Sequence, residues 1–188
     1  MKPVCHIVAG PNGSGKSTFA LDYLPEFAGS IEYVNPDLMA QGLSPTDITL
    51  SAMKAGKLAL RRIAELIARR ASFGFETTLS GRGHLKLLAD AKRAGYAISL
   101  YYLWMPSSVM LPSRIRHRVL AGGHDVPSAD VMRRYARSVA NVRDYAQLAD
   151  VFRVFDASGL GHRLIYARNG KPVAYGPSVP AMRKDLGV

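Results

Sequence analysis

The sequence predicts a three-layer α/β fold, in which a mainly parallel five-stranded sheet carries helices on both faces and a hairpin follows near the C-terminus. Short strand-like runs alternate with segments whose apolar residues recur at helical spacing, which is typical of a parallel sheet. The longest run, Ala97–Trp104, is almost entirely apolar, as expected of a strand covered on both faces. The chain has 188 residues, 48% of them hydrophobic, and no linker, so we expect residues 1–188 to form one domain.

Five strands are predicted as short apolar runs rich in β-branched and aromatic residues. They are Val4–Ala9, Ile31–Val34, Phe73–Thr77, Ala97–Trp104 and Val151–Phe155. After the second strand, Pro36 is expected to stop regular structure. Because ligands of such sheets bind where parallel strands end, functional residues are expected at the carboxyl ends of these strands.

Helices are predicted between the strands. Ser44-Pro45-Thr46-Asp47 is typical of a capping box and begins a long helix that reaches about Arg70. The other predicted helices begin near Phe19, span His84–Arg93, reach about Leu120, and run from Ser128 to about Ala149. The last two, together with their glycine-containing junction, are expected to form a helical lid over residues 107–149.

The C-terminal part of the sequence contains a strong hairpin signal. Asn169-Gly170 separates two strand-like runs, which predicts a hairpin over residues 163–175. The final dozen residues are expected to be a loosely held tail.

Composition narrows the function classes. The single cysteine, Cys5, excludes a disulfide framework and a Cys/His zinc site, and it favours a reducing, cytoplasmic setting. We expect no secretory leader and no membrane-spanning segment. The net charge of +11, from 25 Lys and Arg against 14 Asp and Glu, favours polyanionic partners such as nucleotides, sugar nucleotides, nucleic acid or an acidic protein.

The phosphate-binding motif G-x-x-x-x-G-K-[ST] is present at every required position, between the first strand and the first helix. The predicted loop consists of Gly10, Pro11, Asn12, Gly13, Ser14, Gly15, Lys16, Ser17 and Thr18. In such a loop the backbone N–H groups and the helix N-terminus hold phosphates, the Lys16 ammonium reaches the terminal phosphates, and the Ser17 hydroxyl binds Mg²⁺. The sequence therefore predicts a nucleoside triphosphate site.

Two carboxylates lie at the ends of predicted strands, Asp37 just beyond the second and Glu76 at the end of the third. Asp37 is placed to take a proton from an acceptor hydroxyl or to help hold Mg²⁺, and its alternative role is to cap a helix or turn. Glu76, followed by Thr77 and Thr78, is placed to bind a polar acceptor or a metal-bound water, and the threonines are equally suited to a capping or strand-end role. The fourth strand lacks a terminal Asp, so support for Mg²⁺ is expected from Ser17 with Asp37, Glu76 or water.

Arginines are concentrated around Gly122-Gly123-His124. Arg114, Arg116 and Arg118 precede this junction, and Arg133, Arg134 and Arg137 follow it. Two helices bearing these residues are suited to clamp phosphates in a mobile lid, and the alternative is a solvated basic helix pair.

These motifs occur in an order that resembles the zeta-toxin family of P-loop kinases, over about Val4 to Asp156. The resemblance implies ATP and Mg²⁺ as cofactors and phosphorylation of a hydroxyl of UDP-N-acetylglucosamine. It also implies Asp37 as general base, and Glu76 and Thr78 as residues that hold the acceptor. It places Arg118 and Arg134 on the transferred group, with Arg133 as the competitor for the second position.

The leading hypothesis is an ATP-dependent kinase that phosphorylates a hydroxyl of a small, anionic acceptor such as a UDP-sugar. For a toxin of this kind, a neutralising antitoxin protein is the expected partner. A kinase of polynucleotide 5′-hydroxyl ends is the alternative enzyme, supported by the charge of +11. A non-catalytic ATP-binding switch is the alternative outside the enzymes.

Overall fold

A single sheet of seven strands runs through the computed structural model, which describes residues 2–29, 31–43, 48–120 and 126–188. The strands are β1 (Val4–Ala9), β2 (Glu32–Val34), β3 (Phe73–Thr77), β4 (Ala97–Trp104), β5 (Val151–Asp156), β6 (Arg163–Asn169) and β7 (Lys171–Ala174). Their order across the sheet is β2-β3-β1-β4-β5-β6-β7. The first five are parallel, and β6 and β7 are antiparallel additions at one edge.

Eight α-helices are present among the described residues. They are α1 (Lys16–Asp22), α2 (Leu24–Ala28), α3 (Pro36–Leu43), α4 (Ile48–Ala68), α5 (Gly83–Arg93), α6 (Leu111–Leu120), α7 (Ser128–Leu148) and α8 (Val179–Leu186). A short 3-10 helix, Ser108–Met110, precedes α6.

Side chains of β1 alternate between two apolar cores, one on each face of the sheet. Cys5, Ile7 and Ala9 contribute to the larger core, which includes buried residues of α4, α5, α7 and α8. Val8 contributes to the smaller core, with residues of α1, α2 and α6. The predicted three layers are therefore confirmed, and Trp104, 1% exposed, is a core residue as expected.

The predicted hairpin extends the main sheet. Because β6 pairs with β5 along Phe152–Asp156, the sheet has seven strands where five were expected. The sequence signal at Asn169-Gly170 indicates only that β6 and β7 pair with each other, and it does not indicate that β6 also pairs with β5.

Two local expectations were wrong. Pro36 begins helix α3, because proline fits the first turn of a helix, where its missing N–H has no intrahelical partner. The final residues are not a loose tail: helix α8 buries Met182 and Leu186, and the Trp104 indole Nε1–H donates to Asp185 Oδ2 at 3.0 Å.

The predicted capping box at residues 44–47 and the Gly122-Gly123-His124 junction lie outside the described residues. Across the described parts of the chain, no helix combines the length and apolar character that crossing a bilayer requires.

His6 is a buried titratable residue of β1. Its Nδ1 lies 3.1 Å from the Tyr101 hydroxyl, and burial, with a smaller effect of the Arg153 charge, lowers its pKa to about 4. The unfolded chain therefore binds the proton more tightly, so this residue destabilises the fold as the pH falls from about 6.5 towards about 4.

We expect the wild-type protein to lose more stability between pH 7 and pH 5.5 than the variant His6→Gln, by about 1 kcal/mol, since only the wild-type chain gains the proton on unfolding. Urea unfolding at both pH values measures the difference. The variant His117→Gln, at an exposed position of α6, is the control and should keep the wild-type pH dependence. Equal pH dependence in His6→Gln and wild type would contradict the prediction.

Candidate nucleotide and phosphoryl-transfer site

The loop between β1 and α1 has a backbone conformation that requires glycine at two positions. Gly10 has φ +151°, and a Cβ added there would lie 2.7 Å from the Leu103 carbonyl oxygen. Gly15 has φ +85° and precedes the first residue of α1. Both glycines therefore permit the close backbone turn that points N–H groups towards a phosphate.

Lys16 is buried, with 8% of its surface exposed, and its Nζ donates to the Pro11 carbonyl at 3.1 Å. Burial lowers the pKa of this ammonium, whereas the Glu76 and Asp37 charges raise it. The positive charges of Arg118 and Arg134 lower it further. Predicted site residues from four other segments of the chain therefore lie within electrostatic reach of one ammonium group.

Glu76 lies at the end of β3, directly beside the phosphate loop. Its Oε2 accepts hydrogen bonds from Ser17 Oγ at 3.1 Å and from the Tyr33 hydroxyl at 3.5 Å. Burial raises the pKa of Glu76, and the Lys16 charge opposes this effect. The carboxylate thus contacts the hydroxyl that was predicted to bind Mg²⁺, and Tyr33 supports it from β2.

Two buried polar atoms of the loop have no hydrogen-bond partner among the described residues: Asn12 Oδ1 and Ser14 Oγ. Both side chains are at least 95% buried, so a missing partner is costly. Phosphate oxygens accept hydrogen bonds, and the Ser14 hydroxyl can donate one. The Ser14 hydroxyl is therefore a donor that a bound phosphate could satisfy.

Asp37 is the second residue of α3, and its side chain is exposed. The cap of this helix is Asn35, whose Oδ1 accepts from the N–H groups of Asp37 and Leu38 at 2.9 and 3.1 Å. Because Asn35 performs the capping, the Asp37 carboxylate is left for another role.

The turn after β3 holds Thr78 through local contacts. Its Oγ1 lies 2.8 Å from Ser80 Oγ, and the Thr77 hydroxyl accepts from Leu79 N–H at 3.1 Å. Leu79 has φ +52°, unusual for a residue with a branched side chain, and Asn141 of α7 donates to its carbonyl at 2.7 Å. These contacts fit the strand-end role considered for the threonines, and acceptor binding by Thr78 stays a prediction.

The arginines separate into different environments. Arg118 and Arg134 are partly buried and act on the Lys16 pKa. Arg133 is exposed and pairs with Asp130 of its own helix at 2.8 Å. Arg114 instead donates to the carbonyls of Ala157 and Ser158 at 2.6 and 2.7 Å, so it fixes the loop after β5. The predicted phosphate clamp therefore does not include Arg114.

A cavity of about 440 Å³ lies beside the loop after β5, lined by Tyr23, Asp156, His162 and Arg163 among others. His162 was not predicted from the sequence. Its Nε2–H donates to the Ser14 carbonyl at 3.2 Å, and its ring packs edge-on against Phe19 and Tyr23. A lone histidine in a glycine-rich segment gives no sequence signal, because the contact joins residues 148 positions apart.

Comparison with known proteins identifies a family and solved structures with the same fold. A sequence model of the family described as AAA domain matches residues 5–140. An uncharacterised protein of Haemophilus influenzae is 32% identical over 126 residues, which are 67% of this chain and 88% of the relative.

Solved structures share the fold. The PezAT chromosomal toxin-antitoxin system of Streptococcus pneumoniae has a chain that matches with a TM-score of 0.70 and 16% identity, over 99% of this chain and 79% of that chain. The crystal structure of AvrRxo1-ORF1:-ORF2 with ATP matches with a TM-score of 0.78 and 17% identity, over 98% and 64%. The expected likeness to zeta-toxin-type P-loop kinases is confirmed for the fold.

The contact of His162 with the phosphate loop leads to a prediction about nucleotide binding. We expect His162→Ala to weaken ATP binding by about tenfold, because the Ser14 carbonyl and the Phe19 ring both lose their neighbour. Isothermal titration calorimetry with an ATP analogue measures this change. His117→Ala, an exposed histidine of α6, is the matched control, and similar affinities for the two variants would contradict the role of His162.

Proposed function

The chain belongs to the AAA domain family, and on this premise we propose that it is an ATP-dependent kinase that transfers the γ-phosphoryl group to a hydroxyl of a small acceptor. The observation that carries the proposal is the environment of Lys16. One buried ammonium of the phosphate loop contacts the Pro11 carbonyl at 3.1 Å, its neighbour Ser17 donates to Glu76 at 3.1 Å, and the charges of Asp37, Arg118 and Arg134 also act on it. A phosphoryl transferase needs these groups together: a phosphate clamp, a base and positive charge for the moving group.

The triphosphate would be held by the loop at the N-terminus of α1. Lys16 Nζ, now on the Pro11 carbonyl, would turn to the terminal phosphates. The Ser14 hydroxyl and the backbone N–H groups of the loop would donate to the other phosphates. His162 and the loop fixed by Arg114 would lie beside the adenine base of the nucleotide.

Ser17 Oγ is the atom best placed to hold Mg²⁺, which when bound would neutralise charge on the phosphates. Glu76, 3.1 Å from this hydroxyl, would accept a hydrogen bond from it or from a coordinated water. Among the described residues, no group of three or more His, Cys, Asp and Glu side chains is arranged to hold a metal ion. The donor set, one hydroxyl with carboxylates nearby, fits a metal held jointly with the nucleotide.

Asp37 would take the proton of the acceptor hydroxyl while the hydroxyl oxygen attacks the γ-phosphorus. The bond between the γ-phosphorus and the oxygen that bridges it to the β-phosphate would break in the same step. Its exposure at the first turn of α3 leaves the carboxylate open to an incoming acceptor. Arg118 and Arg134 would stabilise the negative charge of the transferred group.

UDP-N-acetylglucosamine is the acceptor implied by the zeta-toxin resemblance, and a protein antitoxin is the implied partner. The fold shared with a chain of the PezAT toxin-antitoxin system supports testing both. The charge of +11 supports a second candidate, the 5′-hydroxyl of a nucleic acid.

The kinase is tested by the mass of the product formed from ATP with UDP-N-acetylglucosamine, other small alcohols and a 5′-hydroxyl oligonucleotide. We expect Asp37→Asn to lower kcat by about 10²–10⁴-fold and to leave ATP affinity within about threefold, because the carboxylate moves a proton and does not hold the nucleotide. Asp90→Asn, in an exposed ion pair on α5, should keep wild-type turnover. ATP binding without a phosphorylated product in any assay would favour the non-catalytic switch.

The assignment of the lid arginines is tested separately. We expect Arg134→Ala to lower kcat by about 10²–10³-fold, since its charge acts at the phosphate loop. Arg133→Ala, which removes an exposed partner of Asp130 on the same helix, should change kcat by less than about threefold. The opposite order of effects in a turnover assay would show that Arg133 contacts the transferred group.

A further inference from the structure

A groove of about 430 Å³ lies next to the phosphate loop, between the α1–α2 segment and the β2–α3 segment. Its walls are mostly apolar and include Leu21, Leu24, Pro25, Ile31, Tyr33 and Leu38. None of the described lining residues is charged. The groove thus differs chemically from the surroundings of Lys16, which contain the charges of Glu76, Asp37, Arg118 and Arg134.

The next cavity around the edge of the sheet shows that the lack of charge is a property of this groove. That cavity, of about 550 Å³, is lined by Glu32, Arg62 and Glu65 among others. Arg62 Nη2 donates to Glu32 Oε2 at 2.8 Å and Nη1 to Glu65 Oε2 at 2.8 Å. The two cavities share Tyr33, Asn35 and Leu38, yet only one of them presents charge to a ligand.

The groove leads directly to the proposed reaction centre. Ser17 is one of its lining residues, and the Tyr33 ring in its wall carries the hydroxyl that donates to Glu76. Two other lining residues lie on either side of Asp37 in the sequence: Asn35, which caps α3, and Leu38, which is in its first turn. A molecule in the groove therefore reaches the proposed magnesium ligand and the helix turn that carries the proposed base.

Two leucines on opposite walls are left largely in water. Leu21 of α1 is 78% exposed and Leu38 of α3 is 61% exposed. An apolar ligand between them would remove this surface from water, a gain of about 25 cal/mol per Å². A charged ligand would lose its hydration without gaining a partner among the described walls.

We propose that this groove binds the body of the acceptor, and that the acceptor is an uncharged alcohol with an apolar ring or chain. The inference rests on the proposed kinase function for the identity of the ligand as an acceptor. It departs from the anionic acceptor expected from the sequence, because the net charge is a property of the whole chain and these walls are neutral.

The test is a binding experiment that needs no turnover. The protein carries isotope-labelled Leu and Ile methyl groups, is saturated with a non-hydrolysable ATP analogue, and is titrated with cyclohexylmethanol, inositol or UDP-N-acetylglucosamine. We expect cyclohexylmethanol to shift the methyl signals of Leu21, Leu24, Ile31 and Leu38 saturably, and inositol, a ring of the same size covered with hydroxyls, to shift none of them. Tighter binding of UDP-N-acetylglucosamine at these methyl groups would overturn the proposal.

Exposed wall residues supply variants that should fold normally. Leu38→Asp should weaken cyclohexylmethanol binding by about tenfold or more, because it replaces an apolar wall with a charge. Val173→Asp, at a 48% exposed position of β7 at the far edge of the sheet, is the matched control and should bind as wild type. Equal binding by both variants would overturn the groove assignment, whereas methyl shifts without a phosphorylated product would contradict the kinase alone.

Discussion

The burial of the Lys16 ammonium is the constraint on which the rest of the site depends. A charged amine that is 8% exposed is tolerated only with oxygen atoms and negative charge near it. The Pro11 carbonyl gives the direct hydrogen bond, and Glu76 and Asp37 supply the charge. These partners come from the loop, β3 and α3, so the parallel order β2-β3-β1 is what brings them together.

The same sheet order gives the site two chemically different sides. On the side of β4 and β5, polar contacts hold the loop in place: His162 on the Ser14 carbonyl and Arg114 on the carbonyls of residues 157 and 158. On the side of β2, the walls of the groove that includes Ser17 are mostly apolar, and none of its described lining residues is charged. Under the proposed function, nucleotide and acceptor would therefore lie on opposite sides of Lys16.

Sequence reasoning was most successful where a local pattern has a local physical cause. All five parallel strands were predicted, because apolar β-branched runs between turn residues favour a buried strand. It failed at Pro36, where the breaker rule hides the preference of proline for a first helical turn, and at the C-terminus, where Met182 and Leu186 are too few to show a pattern. Adjacent residues of a helix point about 100° apart, so only one of Arg133 and Arg134 can face the phosphate loop. Which of them does so depends on how α7 packs, and only the structure shows this.

By itself, the sequence determined the phosphate loop, the strand and helix alternation, and the carboxylates at the ends of β2 and β3. Each of these depends on residue type at short spacing, and short spacing is what a sequence displays. The tertiary structure alone decided that Glu76 binds Ser17, that Asn35 caps α3 and leaves Asp37 exposed, and that the walls beside Ser17 are neutral. These features arise where distant segments pack together, because only packing fixes which side chains share one small volume.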